Sequence, residues 1–445
     1  MIKAQPVSMN TIPRRKSSFI SQIFATVIFY IILFLYIYPS YVNASIAMED
    51  RGQVLPSGLS IIMLILAGGT AFFFDEEFRR LLSGKIAIIY GAVVFIYLLI
   101  GWRVYGNSLD IIKGDILVLQ APILGLAMFR LIVKSYYPKL QLLVLIIAAT
   151  FLVYYSMSQA GVRLHLAAAG IKDRSLDLIG FPWSALLMIP SGISIGILSR
   201  SGWRWAISIW ASILVHVYSV SFLAATRSST LAILAVVASA ILSLSYRVDN
   251  GVITNQLSFL RLRRLIPIFF LLCTLLFFAI FSDFIFNLIS FLEKSLLFGR
   301  FFGDVSAQQS SGARIQEATE MIESLQGIDW LLGRGIGANF RSFMAPQAPW
   351  THIGILTFLL KGGLVLFIPC VYVLYIKFPS LFIKAVLKPK TLEPRKRTSI
   401  LTVLPGVFGW ATLLLLSGGY SSSDFFGVGF GLGAYLHIKK YGLNL

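Results

Sequence analysis

Residues 349–363 read PWTHIGILTFLLKGG and mark the point where a polar stretch passes into an apolar run. That run continues to Ile376, long enough to cross about 30 Å of hydrocarbon as a helix. Two ionisable groups interrupt it, His352 at its start and Lys361 further in. Their spacing corresponds to about 13 Å along a helix and about 180° around it, so the two side chains do not share a face. Ionisable groups in a bilayer are costly and mark either function or a specific partner. We read His352 as a candidate for chemistry at the membrane surface. Lys361 reads as the buried partner of a carboxylate or carbonyl on a neighbouring helix.

Beyond this stretch, runs of the same kind recur along the chain. They fall at 19–40, 57–74, 85–101, 114–133, 139–157, 181–199, 203–223, 229–246, 265–289, 352–376, 399–417 and 421–436. The 445 residues are 57% hydrophobic and only 13% charged, a composition that belongs to polytopic membrane proteins. The expected fold is all-α, with about twelve transmembrane helices and a helical extracytoplasmic loop. Three regions follow: residues 1–289 with the first nine helices, 290–350 as the large loop, and 351–445 with the last three.

The net charge of +19 invites a nucleic-acid reading, and its distribution argues against one. With Arg14, Arg15 and Lys16 on the cytoplasmic side, the basic clusters fall on that same side. They are Arg79/Arg80/Lys85, Arg130/Lys134/Lys139, Arg200/Arg204, Arg261/Arg263/Arg264, the loop 377–397 and Lys439/Lys440. This is the positive-inside pattern, so the basicity reports topology and contact with anionic headgroups. Both termini are expected to be cytoplasmic. The first run exceeds a signal-peptide core, so Ser45-Ile46-Ala47 is not read as a cleavage site. Cys273 and Cys370 lie within apolar runs and read as packed thiols, and no His/Cys/carboxylate spacing suggests a metal site.

The large loop carries structural signals of its own. In ARIQEATEMIESLQG (313–327), Ile315, Ala318, Met321, Ile322 and Leu325 recur at helical spacing, opposite Gln316, Glu320 and Glu323. That predicts an amphipathic helix stopped by Gly327. FLEKSLLFGRFF (291–302) reads as an interfacial stretch. Gly427, Gly429, Gly431 and Gly433 of the last run read as a close-packing face.

Arginines on the outer side run against the positive-inside bias and are therefore informative. Arg227 sits in a short turn before Ser228, Ser229 and Thr230, where a guanidinium fork, hydroxyls and helix-start N–H groups could together grip phosphate. A snorkelling arginine at a helix end is the plainer alternative. Arg314 opens the amphipathic helix, where pairing with a nearby glutamate is its ordinary role. Arg334 lies among Gly333, Gly335 and Gly337, a pattern that turn chemistry explains as well as phosphate binding does. Arg341, Arg163, Arg174 and His165 are further outer-face residues.

Taken together, these pieces resemble the O-antigen polymerase and O-antigen ligase superfamily of bacterial surface-polysaccharide enzymes. The matching segments are Thr226-Arg227-Ser228, Arg314 at a helix start, Leu332-Gly333-Arg334-Gly335-Ile336-Gly337 with Phe340, and His352 with Gly363. Ile353 stands where the family often has asparagine, and Lys361 where it often has an acidic or neutral residue; both favour the polymerase branch. The resemblance implies metal-independent glycosyl transfer without a cofactor, at the outer face of the bacterial inner membrane. The donor would be an oligosaccharide on undecaprenyl pyrophosphate, with membrane lipids, a chain-length regulator and a flippase as partners and no nucleic acid. It gives His352 and Arg314 catalytic roles, and Arg227, Arg314 and Arg334 the pyrophosphate. A ligase and a lipid-linked oligosaccharide flippase are the alternatives. A metal-dependent transferase has only Glu49 and Asp50 in its favour.

Overall fold

The computed structural model describes residues 19–45, 57–168, 181–220, 227–257, 305–343, 347–416, 418, 420–443 and 445. The expected run 265–289, the interfacial stretch 291–302, Arg174, Cys273, Thr226, Glu49 and Asp50 lie outside them.

Among the described residues the chain is mostly helical. The first half contains α1 (Phe19–Ser45), α2 (Ser57–Phe74), α3 (Glu76–Leu82), α4 (Lys85–Leu99), α5 (Leu109–Lys134), α6 (Pro138–Ala168), α7 (Phe181–Ser201), α8 (Trp203–Tyr218) and α9 (Arg227–Leu244). After them come strands β1 (Tyr246–Asp249) and β2 (Val252–Leu257). The second half contains α10 (Val305–Ser324), α11 (Asp329–Leu332), α12 (Gly354–Val371), α13 (Phe378–Leu387), α14 (Pro394–Leu416) and α15 (Ser422–Tyr441). Among the described residues five helical stretches are long and apolar enough to cross a membrane: Lys85–Val104, Leu109–Lys134, Pro138–Tyr155, Gly354–Leu387 and Pro394–Leu416.

The bundle centre is α5, α7, α14 and α15, and small residues let these helices meet backbone to backbone. A Cβ on Gly429 would lie 1.8 Å from the Pro122 carbonyl oxygen, so α15 can seat against α5 only with glycine there. The glycine face expected on the last run is thus a packing face, and Gly429 is its tightest point.

Two details of the fold differ from the sequence expectation. The chain is not purely α: β1 and β2 form an antiparallel hairpin closed by Asn250-Gly251, both at positive φ. Asn-Gly supplies the two left-handed residues that a two-residue hairpin turn demands. Second, the helix beginning at Gly354 runs on to Leu387, which shortens the expected inner loop to a few residues around Pro389. The orphan carbonyls at its end are met by tertiary donors. Tyr246 donates its hydroxyl to the Val386 carbonyl (2.7 Å) and Arg397 donates Nε–H to Ala385 (2.8 Å). Arg397 is fully buried, lies over the Tyr246 ring and donates also to Thr254 of the hairpin (3.0 Å).

These contacts define one end of the bundle. Arg130 pairs with Asp75 and Glu77, Glu77 accepts from Lys440 and Tyr441, and Arg395 donates to the Lys440 carbonyl. Burial pushes the Glu77 carboxyl up, but bonds from Lys440 and Tyr441 and the charge of Arg130 outweigh it and bring it down to about 2. Arg200 reaches the Ser243 carbonyl just before the hairpin. The basic clusters at 79–80, 130, 200, 395–397 and 439–440 therefore gather at a single end, as one-sided positive charge requires.

Candidate functional site

The opposite end is built from α10, α11, the loop 333–343 and the approach to α12. Helix α10 has the predicted period and buries Ala318, Met321 and Leu325 of the predicted face, but that face is turned so that Glu317 joins it in place of Ile315 and Ile322. Ile315 is 64% exposed and Ile322 is exposed, whereas Glu317, Ala318, Met321 and Leu325 are buried. The register is set by what the helix meets. Met321 and Leu325 pack with Phe340, Leu359 and Leu360, and one turn earlier the same stripe must satisfy polar partners. Glu317 is the residue that reading by hydrophobicity alone passes over.

His352 lies two residues before α12 rather than within it, and Glu317 holds it at two points. Glu317 Oε2 is 2.7 Å from His352 Nδ1 and accepts the His352 backbone N–H at 2.9 Å. The Glu317 side chain is 4% exposed and that of His352 31%. Adjacent groups fix the approach. Thr351 donates its hydroxyl to the Ile353 carbonyl (2.5 Å), its backbone N–H donates to Thr357 Oγ1 (3.2 Å), and the Trp350 ring packs edge-on against the imidazole.

Arg314 does not open its helix as expected, since α10 begins nine residues earlier at Val305; it lies one turn before Glu317 and donates from Nη1 to the Leu416 carbonyl, the last of α14, at 2.6 Å. Arg227 is the first residue of α9. Helices α9 and α14 run antiparallel, since Gly409 packs on Ala232 and Val236 while Thr398 meets Ile253 beyond the other end of α9. The head of α9 therefore emerges at the same end as Leu416, Arg314 and His352. The Arg227 side chain lies outside the described atoms, as do those of Arg163 and His165. Ser228, Ser229 and Thr230 beside it are buried.

Arg334 is engaged elsewhere. It donates Nε–H to Asp329 (2.8 Å) and Nη2–H to the Ser324 carbonyl, closing the C-terminal end of α10. Ser324 is about 10 Å along α10 from Glu317, so Arg334 is not gathered with Arg314 and His352. Burial raises the Asp329 carboxyl, yet bonds from Tyr105, Arg334 and the Gln326 N–H hold it below its ordinary value. Arg341 is exposed.

The loop after Arg334 enters the bundle. Helix α12 is broken at Gly363 (φ 57°), and the carbonyls freed by the break accept from the loop: Leu360 from Arg334 N–H and Lys361 from Gly335 N–H, both at 2.9 Å. Gly335 (φ 77°) also touches the Gly101 backbone, leaving no room for a side chain. Irregular backbone at such depth is tolerated only where protein surrounds it and satisfies its polar groups. Lys361 has the carboxylate partner sought from sequence. Its Nζ is 2.5 Å from Asp115 Oδ2 on α5, which also accepts Gly337 N–H at 2.7 Å, and Tyr420 lies 5.5 Å away.

Among the described residues no group of three or more His, Cys, Asp or Glu side chains is placed to hold a metal ion. Among the described residues this end carries the His352–Glu317 imidazole–carboxylate pair, with Arg314 one turn earlier on the same helix as Glu317. Comparison with protein families, curated proteins and solved structures finds no match for this chain.

Proposed function

We propose that this chain polymerises oligosaccharide units carried on undecaprenyl pyrophosphate at the extracytoplasmic face of the bacterial inner membrane, as a metal-independent glycosyltransferase. One observation supports the reading above the others. Residues far apart in sequence gather at one mouth of the bundle: Glu317 holds His352, Arg314 one turn earlier on α10 donates to the last carbonyl of α14, and Arg227 begins α9 at the same end. In the reaction the acceptor hydroxyl gives its proton to the free nitrogen of His352 as its oxygen bonds the sugar anomeric carbon. The bond from that carbon to the pyrophosphate oxygen breaks, and the electron pair leaves on the pyrophosphate. Arginines held in advance stabilise that developing charge, Arg314 and Arg227 being the candidates. One base and one prepositioned anion site are the elements such a transfer needs.

A transporter is the second reading. The break in α12 and the buried Lys361–Asp115 pair favour it, because discontinuous helices with embedded charges recur at transporter binding sites. Deletion of the gene separates the possibilities. Loss of a polymerase leaves single units still transferred to the cell-surface acceptor. Loss of a ligase strands long chains on the lipid carrier, and loss of a flippase traps units on the cytoplasmic leaflet. We expect the first pattern, reproduced by His352→Ala with normal membrane insertion. Long polymers surviving deletion would exclude polymerisation by this chain.

A further inference from the structure

Glu317 is a carboxylate that sequence patterning does not single out and that burial makes expensive. An unpaired charge taken out of water costs several kcal/mol, so its position must be compensated. The compensation visible is His352, through two contacts to one oxygen. We infer that Glu317 is the positioning residue of His352, orienting the imidazole and stabilising its protonated form during glycosyl transfer, a role that rests on the function proposed above.

The contacts assign the ring its tautomer. Because Oε2 accepts from Nδ1–H, that ring nitrogen is the protonated one, and Nε2 keeps the lone pair for the acceptor hydroxyl. The backbone N–H of His352 donates to the same oxygen, which ties ring and main chain to one point of α10. When the ring takes the acceptor's proton, the buried carboxylate gains a cation at hydrogen-bond distance, an interaction stronger in the transition state than before it. A carboxylate orients and supports the base in the same way in Ser-His-Asp hydrolases. The main-chain contact also makes glutamine a clean probe. In Glu317→Gln the new amide must turn its carbonyl to the His352 N–H, so the tautomer is retained and only the charge is lost.

The test uses full-length protein in lipid nanodiscs, with undecaprenyl-pyrophosphate-linked oligosaccharide isolated from the deletion strain. Glu317→Gln is expected to lower kcat about 10- to 100-fold with little change in donor KM, as loss of a transition-state interaction does. In a His352→Ala background the same change should have no further effect, because residues acting as a unit are not additive. Rates are taken per monodisperse folded protein. Should Glu317→Gln not accumulate, Glu317→Asp, which keeps the charge but shortens the reach, is expected to lose kcat at unchanged KM. Wild-type turnover by Glu317→Gln alongside an inactive His352→Ala overturns the role of Glu317 and leaves the proposed function standing. A fully active His352→Ala overturns the roles of both His352 and Glu317, whereas absence of turnover by the wild-type chain overturns the proposed function.

Discussion

Replacing Lys361 by methionine removes an ammonium while keeping most of the stem's volume, and it isolates the energetics of the buried pair. Lys361 and Asp115 are 5% and 6% exposed, and their charged atoms are 2.5 Å apart. Asp115 would keep only the Gly337 N–H, too little for an ionised carboxylate in an apolar bundle. Removing one partner of a buried pair costs roughly 3–5 kcal/mol, because the other charge is left uncompensated. For a chain of this length each kcal/mol moves the midpoint by roughly 1–2 °C, so Lys361→Met should unfold roughly 3–10 °C lower. Asp115→Asn alone should be similarly destabilising, since it strands the ammonium. The double variant should recover much of the loss: an asparagine oxygen can still accept from Gly337, and no charge remains buried. Intrinsic-fluorescence melts in nanodiscs, read together with size-exclusion profiles, measure all four proteins. Single variants as stable as wild type, or a double variant as unstable as the two losses summed, would refute the reasoning that the ion pair holds the broken helix.

Arg227→Lys should lose most activity, because a point-charge ammonium cannot reproduce a two-pronged phosphate contact; one such bond is worth roughly 1.5–3 kcal/mol, about tenfold to over a hundredfold in rate. Wild-type product length and amount would show that Arg227 merely snorkels. Cysteines at the exposed positions Glu323 and Lys388 should label oppositely with an impermeant thiol reagent on cells with a permeabilised outer barrier, Glu323→Cys reacting and Lys388→Cys not; the reverse inverts the topology. Glu77 is held at about 2 against an ordinary 4.5, so it stabilises the folded chain above pH 4.5 and that contribution fades as pH falls from 4.5 toward 2. Glu77→Gln should therefore lower the melting midpoint at pH 7 and flatten its dependence in that acid window, a result that melts across pH 3–7 check directly.

Local composition was enough to establish the helical membrane character, the location of most helices and the gathering of basic residues at one end. Each follows from the cost of exposing backbone or charge to lipid. The Asn250-Gly251 turn was also in plain view, a hairpin signal in the connection that the reading left between the apolar runs 229–246 and 265–289. Packing settled the rest. Hydrophobicity identified Ala318, Met321 and Leu325 as the inward residues of α10 but not Glu317, which is turned inward to His352 while Ile315 and Ile322 stay exposed. The break at Gly363 became visible only once the loop at 333–337 was seen to supply the donors its freed carbonyls need. Asp115 and Lys361, like Arg314 and the end of α14, are brought together by helices distant in the chain. Local pattern reports which residues avoid water or lipid, whereas the partner that neutralises a buried charge is set by how whole helices pack, and no window of sequence contains both.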